Sequence, residues 1–229
     1  MNESTNKLNN DITPDQLKSI FEDYSKKHSI KVYQKVSFNK GENILKQGSF
    51  FSHQTILLKG LVKIVLEAEN KKNYILKFAL PGEFIGLSAL FHDEMTPFSA
   101  VCMCDCDVLL IKQEPFEKLF RENTMLHEFI IKLRSNYFRL IYERLTIQAT
   151  RNSIGKLAHI ILYIKHLQAK IPNIYQYITR KDLADLAGVS HESIMKILNE
   201  LKGDKILNIK DKEIEINKQD LLERLVIIG

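Results

Sequence analysis

Thr179-Arg180-Lys181-Asp182-Leu183-Ala184-Asp185-Leu186-Ala187-Gly188-Val189-Ser190-His191-Glu192-Ser193-Ile194-Met195-Lys196-Ile197-Leu198 holds two helix starts on either side of one glycine. Thr179 and Asp182 have the spacing of a capping box, in which the hydroxyl caps the helix and the carboxylate reaches back. Leu183, Ala184 and Ala187 form an inner face whose small alanines let a second helix cross closely at about 90–120°. Gly188 supplies a left-handed turn, Val189 plugs the corner and Ser190 caps the next helix. That helix is expected to bury Ile194, Ile197, Leu198 and Leu201 and to end at Gly203. Counted from Arg180, the apolar positions are 4, 8, 10, 15 and 18, with alanine at 5 and glycine at 9. All of these constraints together, with both caps, predict a helix-turn-helix.

The second helix exposes His191, Glu192, Ser193 and Lys196 in its first turns, the end that meets base edges when such a helix enters the major groove. Lys196 can donate to guanine, Glu192 can accept from cytosine N4, and Ser193 suits either role. Thr179, Arg180 and Ser190 sit at helix N-termini, where backbone N–H groups and the helix dipole favour phosphate. Downstream, Ile206–Ile209 and Glu213–Ile216 flank Lys210-Asp211-Lys212 and predict a β-hairpin, a wing whose two lysines can meet phosphate or form an ordinary charged turn. The expected partner is double-stranded DNA.

Upstream, Ser153–Lys170 reads as a helix stopped by Pro172, with Ile154, Leu157, Ile160, Ile161 and Ile164 on one face. Before it, residues 123–150 carry a nearly heptad stripe of Leu126, Phe129, Leu133, Leu140 and Ile147, flanked by Ile130, Tyr137 and Ile141. A helix of this length spans about 42 Å, more than a small domain covers, so the expected cover is a second copy of the helix, with Asn136 fixing register. The alternative is that the β domain covers the stripe.

From Ile30 to Ile111 the pattern changes. Val32–Phe38, Gln54–Leu58, Val62–Leu66, Tyr74–Phe78 and Asp107–Ile111 are short runs separated by turn residues, which predict a β sandwich or barrel. Pro115 is expected to open a helix, and Thr13-Pro14-Asp15 to start another over residues 13–29. The whole is α+β, divided at 1–122, 123–150 and 151–229.

Composition permits this reading without proving it. The 229 residues are 45% hydrophobic and 27% charged, with a net charge of +5. From Arg151 onward there are 13 basic against 10 acidic residues, and before it 20 against 18. No apolar run reaches the roughly 18 residues of a membrane span, and Met1–Asn10 lacks a signal peptide's apolar stretch, so a cytoplasmic location without membrane contact is expected. Cys102, Cys104 and Cys106 alternate, which in a strand puts them on one face about 6.5–7 Å apart, at or beyond disulfide reach. Small buried residues explain them better than a redox or metal site. No serine–histidine–acid order, phosphate-binding glycine loop or metal-spaced motif indicates an enzyme or a cofactor.

Nearly the whole chain resembles the Crp/Fnr family of cyclic-AMP receptor-like regulators. Lys40-Gly41-Glu42-Asn43-Ile44-Leu45 with Gln47-Gly48, Leu58-Lys59-Gly60-Leu61-Val62-Lys63, Pro81-Gly82-Glu83-Phe84-Ile85-Gly86 and Ser99-Ala100-Val101 are similar, in order and spacing, to its signatures. The resemblance implies an N-terminal β-roll (a cyclic-nucleotide-binding-like jelly roll), a dimerisation helix and a C-terminal winged helix-turn-helix. It implies a homodimeric transcription regulator on inverted-repeat DNA, with RNA polymerase as a further partner and an effector pocket near Gly82, Glu83, Phe84, Gly86, Leu87, Ser88, Phe98 and Ser99.

Three departures qualify it. Leu87 stands where cyclic-nucleotide binders have a ribose-holding glutamate, and Phe98 where they have a phosphate-holding arginine. A buried phosphate without a cation is costly, so cyclic AMP in the usual mode is not expected, and the effector, if there is one, is unidentified. No cysteine precedes Cys102, so the oxygen sensors' iron–sulfur site is absent. The recognition helix has His191, Glu192 and Lys196 where arginine, glutamate and arginine are frequent. A regulator needing no small molecule and a protein-binding regulatory module are the alternative readings.

Overall fold

The computed structural model describes residues 14–68, 72–87 and 95–229. Its internal contacts divide the chain into two compact units, one comprising residues up to Val62 with Ala79–Arg139, the other Lys63–Phe78 with Leu140–Gly229.

The first unit begins with α1 (Pro14–His28), whose expected cap, Thr13, lies outside the described residues. Its strands are β1 (Tyr33–Phe38), β2 (Asn43–Leu45), β3 (His53–Lys59), β6 (Phe84–Ile85), β7 (Ser99–Cys102) and β8 (Cys106–Lys112). One sheet runs β1-β8-β3-β6, and β2 pairs with β7. In the first, β8 is the central antiparallel partner of both β1 and β3, with Val36 opposite Val108 and Ile56 opposite Leu109. Helix α2 (Gln113–Glu122) starts two residues before Pro115, which therefore sits inside the first turn, where its missing N–H costs nothing.

Helix α3 (Thr124–Thr150) matches the expected span but not the expected exposure. Leu126, Phe129, Ile130 and Leu133 do not await a partner: they pack with Leu17, Phe21, Ile56, Leu109, Phe116 and Phe120 in the core. Phe84 joins Phe116 and Phe129 at ring separations of 5.9 and 6.4 Å, and the Tyr137 hydroxyl donates to the Phe84 carbonyl at 3.1 Å. Ile147 is also buried. The apolar residues left exposed are Met125 in the first turn, at 56%, and further along Ile131, Phe138, Tyr142 and Leu145, at 46, 52, 65 and 60%. Leu126, Phe129 and Leu133 of the heptad stripe are thus covered within the chain, by α1 and α2 together with β3 and β8, close to the alternative of cover by the β domain, and not by a second copy of the helix.

A second correction concerns the cysteines. They do not share a strand: Cys102 ends β7, Cys106 begins β8, and residues 103–105 are the bend between them. The turn Gly60-Leu61 receives this bend through the Met103 N–H on the Leu61 carbonyl at 2.8 Å.

The second unit contains the neighbouring strands β4 (Val62–Glu67) and β5 (Asn73–Ala79), except for Val62 and Ala79, then the C-terminal part of α3, α4 (Ser153–Gln168) and the segments that follow. The Asn152 side chain caps α4 by accepting from the N–H groups of Ile154 and Gly155, both at 3.0 Å. Leu157, Ile160, Ile161 and Ile164 are fully buried, as their spacing predicts. A C-terminal helix, α7 (Gln219–Ile228), went unread in the sequence; it packs closely on α4, where a Cβ at Gly155 would stand 3.0 Å from Gly229 and the Leu225 carbonyl. Among the described residues no helix is long and apolar enough to cross a membrane.

Candidate nucleic-acid interface

Helix α5 (Arg180–Ala187) starts with the capping box its sequence spells. The Thr179 hydroxyl accepts from the Asp182 N–H at 3.0 Å, and Asp182 Oδ2 accepts from the Thr179 N–H at 2.8 Å. The same hydroxyl also donates to Asp182 Oδ2, at 2.6 Å. Asp182 is 4% exposed, and its other oxygen takes a 2.7 Å ion pair from Lys63 on β4. Burial alone raises the pKa of this carboxyl. The Lys63 and Thr179 hydrogen bonds outweigh it and hold the group below the usual carboxylate range.

The other end of α5 is held by α3. Arg144, 7% exposed, donates to the Leu186 carbonyl and, at 3.2 Å, to that of Ile75 on β5, with its guanidinium 5.3 Å from the Tyr74 ring centre. Gln148, one turn on, donates to the Ala187 carbonyl at 2.9 Å. Carbonyls at a helix C-terminus have no partner within the helix, and two of them find side chains here. Lys63, Arg144 and Gln148, the side chains that hold α5, were missed by sequence reasoning. An arginine three residues from both Ile141 and Ile147, on the apolar side of the helix, was the local signal.

Gly188 then turns the chain with φ 63°, the left-handed conformation its position predicts. Ser190 caps α6 (His191–Gly203): its Oγ accepts from the Ser193 N–H at 3.1 Å and lies 2.8 Å from the Ser193 Oγ. Ile194, Ile197, Leu198 and Leu201 are buried as expected, which leaves His191, Glu192 and Lys196 exposed and Ser193 half-buried. The far end differs from expectation. Gly203 is the last helical residue, Asp204 is the cap, and the left-handed position is Lys205, at φ 56°.

Strands β9 (Leu207–Lys210) and β10 (Glu213–Ile216) form the predicted hairpin, with Ile214 opposite Ile209. Its tip is tied back to the helices. Arg180 donates to the Asp211 carbonyl at 2.8 Å and Lys212 to the Gln176 carbonyl at 3.2 Å, while Lys210 is exposed. Of the three residues expected to meet phosphate, Ser190 has an exposed side chain at a helix start. Thr179 has turned both its N–H and its hydroxyl inward, and Arg180 is half-buried against the hairpin.

In the first unit, the turn expected to line a pocket holds Gly82 and Gly86 at φ 89° and 103°. A Cβ at Gly86 would overlap the Phe51 ring. The Glu83 carbonyl accepts from the Leu57 N–H at 3.0 Å, Phe84 is 3% exposed, and Leu87, 2% exposed, belongs to the same core cluster. Ser99 is fully buried with its Oγ accepting from the Gln47 N–H at 2.9 Å, and Phe98 is half-buried. Ser88 lies outside the described residues.

Residues 35–123 match the model of the cyclic nucleotide-binding domain, and residues 155–225 that of the Crp-like helix-turn-helix domain. The cyclic AMP receptor protein of Thermus thermophilus is 22% identical over 86% of this chain and 90% of its own length. The fumarate and nitrate reduction regulatory protein of Vibrio cholerae is 24% identical over 84% and 78%. Among solved structures, FixK2 from Bradyrhizobium japonicum superimposes with a TM-score of 0.73 at 18% identity, over 85% of this chain and 98% of that one.

Proposed function

The chain belongs to the Crp/Fnr family of DNA-binding transcription regulators, and we propose that it works as a homodimer reading a two-fold symmetric DNA site. The observation that carries this reading is the first half of α6. Its ends are capped and its inner face is buried, yet His191, Glu192 and Lys196 stand in solvent together. In the major groove, Glu192 accepts from cytosine N4, Lys196 donates to guanine, and His191 and Ser193 complete the base-facing set. Ser190 and the α6 N-terminus meet phosphate, with Lys210 at the wing; Thr179 and Arg180 contribute chiefly by fixing where α6 begins.

The dimer is held by the exposed stripe Ile131, Phe138, Tyr142 and Leu145 of α3 pairing with its copy. Two-fold symmetry then places two recognition helices about one turn of DNA, ~34 Å, apart. RNA polymerase is the further partner of such a regulator at a promoter. Selection of bound fragments from a random DNA pool, using reduced protein and no added effector, tests the reading. An inverted repeat supports it; unselective binding overturns it. Sedimentation as a monomer at micromolar concentration overturns the dimer.

A second reading, regulation without a small molecule, is favoured by the turn around Leu87. Leu87 packs in the core and the Ser99 hydroxyl is engaged with Gln47, so the positions that hold ribose and phosphate in cyclic-nucleotide binders are apolar or occupied here. Cyclic AMP leaving DNA affinity unchanged is the expected result under this reading.

A further inference from the structure

One exposed side chain of α6 lies outside the hydrogen-bonding set of His191, Glu192, Ser193 and Lys196. Met195 is 36% exposed, whereas Ile194, Ile197, Leu198 and Leu201 of the inner face are each 6% exposed or less. Every other exposed side chain of the helix is polar or charged. A single exposed methionine on a protein surface is ordinary; the place of this one is not. Met195 stands one turn on from His191 and Glu192, about 40° round the axis from the first and about 60° from the second, with Lys196 next to it in the chain. A long side chain on a helix leans back over the turn before its own Cα. Met195 therefore covers the ground beside His191 and Glu192, in the N-terminal half of α6 that meets base edges.

We propose, on the reading of α6 as the recognition helix of a DNA-bound dimer, that Met195 is a specificity-determining residue and reads the C5-methyl group of a thymine in each half-site. The chemistry of the major groove leaves one choice. Guanine, adenine and cytosine present hydrogen-bond acceptors and donors there, and thymine adds to its acceptor the one apolar group, the methyl. A thioether is at best a weak acceptor. Set against a purely polar base edge, Met195 would displace water and leave donors or acceptors unpaired, which is unfavourable. Set against the thymine methyl, it removes apolar surface from water on both partners. Its unbranched, polarisable chain has the torsional freedom to find that methyl between the fixed contacts of Glu192 and Lys196. Cytosine at the same place lacks the methyl and presents a donor instead, so thymine is preferred over cytosine there.

The test uses the full-length protein and the inverted repeat recovered from the random DNA pool. Each thymine of the repeat, together with its symmetry mate, is replaced in turn by deoxyuridine, which keeps the pairing with adenine and the O4 acceptor and lacks only the methyl. Affinities are compared at one fixed salt concentration, since binding to DNA weakens steeply as salt rises. At one thymine position the wild type is expected to lose roughly fourfold in affinity per half-site, the effect of one buried methyl, and about fifteenfold with both half-sites altered. Met195→Ala, whose side chain is too short to reach, should bind the thymine and deoxyuridine duplexes equally at that position and keep the wild-type response at every other. Alanine at an exposed helical site preserves α6, and a urea unfolding curve matching that of the wild type checks this. A repeat in which no thymine responds to loss of its methyl, or a response that is the same size in Met195→Ala, would overturn the proposal; the first of these outcomes needs no variant. The two readings fail differently. A pool that yields no symmetric site removes the regulator reading and Met195 with it, whereas a symmetric site indifferent to every thymine methyl leaves that reading standing and removes Met195 alone.

Discussion

The two helices of the helix-turn-helix have the same kind of N-terminal cap and opposite relations to the rest of the chain. Around α5 the polar groups are engaged: Asp182 with Thr179 and Lys63, the Leu186 carbonyl with Arg144, the Ala187 carbonyl with Gln148. On α6, His191, Glu192 and Lys196 project into solvent from its outer face. Placement and reading are thus carried by different helices. Substitutions around α5 should change how much protein is folded with α6 in place, and substitutions on the outer face of α6 should change which sequence is preferred.

The largest effect that can break this division is expected at Asp182. Asp182→Ala removes the capping box and leaves Lys63 facing a mostly buried site without its anion, a loss of about 3 kcal/mol, read by urea denaturation. The sequence preference of the folded fraction should not change; a changed preference would mean that α5 also reads. Asp182→Asn separates charge from shape. Because the folded-state pKa of Asp182 is lowered, its contribution is present above the unfolded value and disappears as pH falls through the folded one. The stability gap between wild type and Asp182→Asn should therefore be constant near neutral pH and close only below about pH 4.

Glu192→Ala is the converse. Stability should stay within about 0.5 kcal/mol of wild type, while discrimination falls by about 1–3 kcal/mol at one base position per half-site. A binding profile over a mutated operator series checks this, and an unaltered profile removes Glu192 from base readout.

How much of this was legible in the sequence follows the same line. Caps, turn and inner face were readable because each is a local rule satisfied within a few residues: Thr179 with Asp182, Gly188 alone, Ser190 with Ser193. The contacts that place α5 were not, because Lys63 is 119 residues from Asp182 and nothing local marks it as a partner. The cysteines misled for a related reason. Their alternation fits a strand, but the chain bends at residues 103–105, where partners as distant in sequence as Gly41 and Leu61 hydrogen-bond to it. On α3 the heptad stripe was real, but Leu126, Phe129 and Leu133 answer to α1, α2 and β3 instead of a second chain. Leu87 and Phe98 were readable as departures from a nucleotide site; that Leu87 serves the core was not.

The smallest effects sharpen the contrast within one residue type, at the two glycines that bound this pair of helices. Gly188 is required: its φ of 63° is strained for any other residue except asparagine or aspartate, and a Cβ would stand 2.9 Å from the Gln148 Oε1 that it would have to push aside. Gly188→Ala should cost about 1–2 kcal/mol, and the displaced Gln148 would give up its bond to the Ala187 carbonyl. Gly203 carries no such constraint. It is the last residue of α6, it is not among the positive-φ positions, and a Cβ there would meet nothing within 4 Å. The left-handed turn belongs instead to Lys205. Alanine at 203 therefore keeps the native backbone and reduces only the freedom of the unfolded chain, so Gly203→Ala should stabilise by about 0.4–1 kcal/mol. Operator preference should be unchanged, since the substitution lies at the end of α6 farthest from Glu192 and Lys196. A destabilised Gly203→Ala would show that the end of α6 needs the glycine after all, and would return the left-handed cap to the place where the sequence first suggested it.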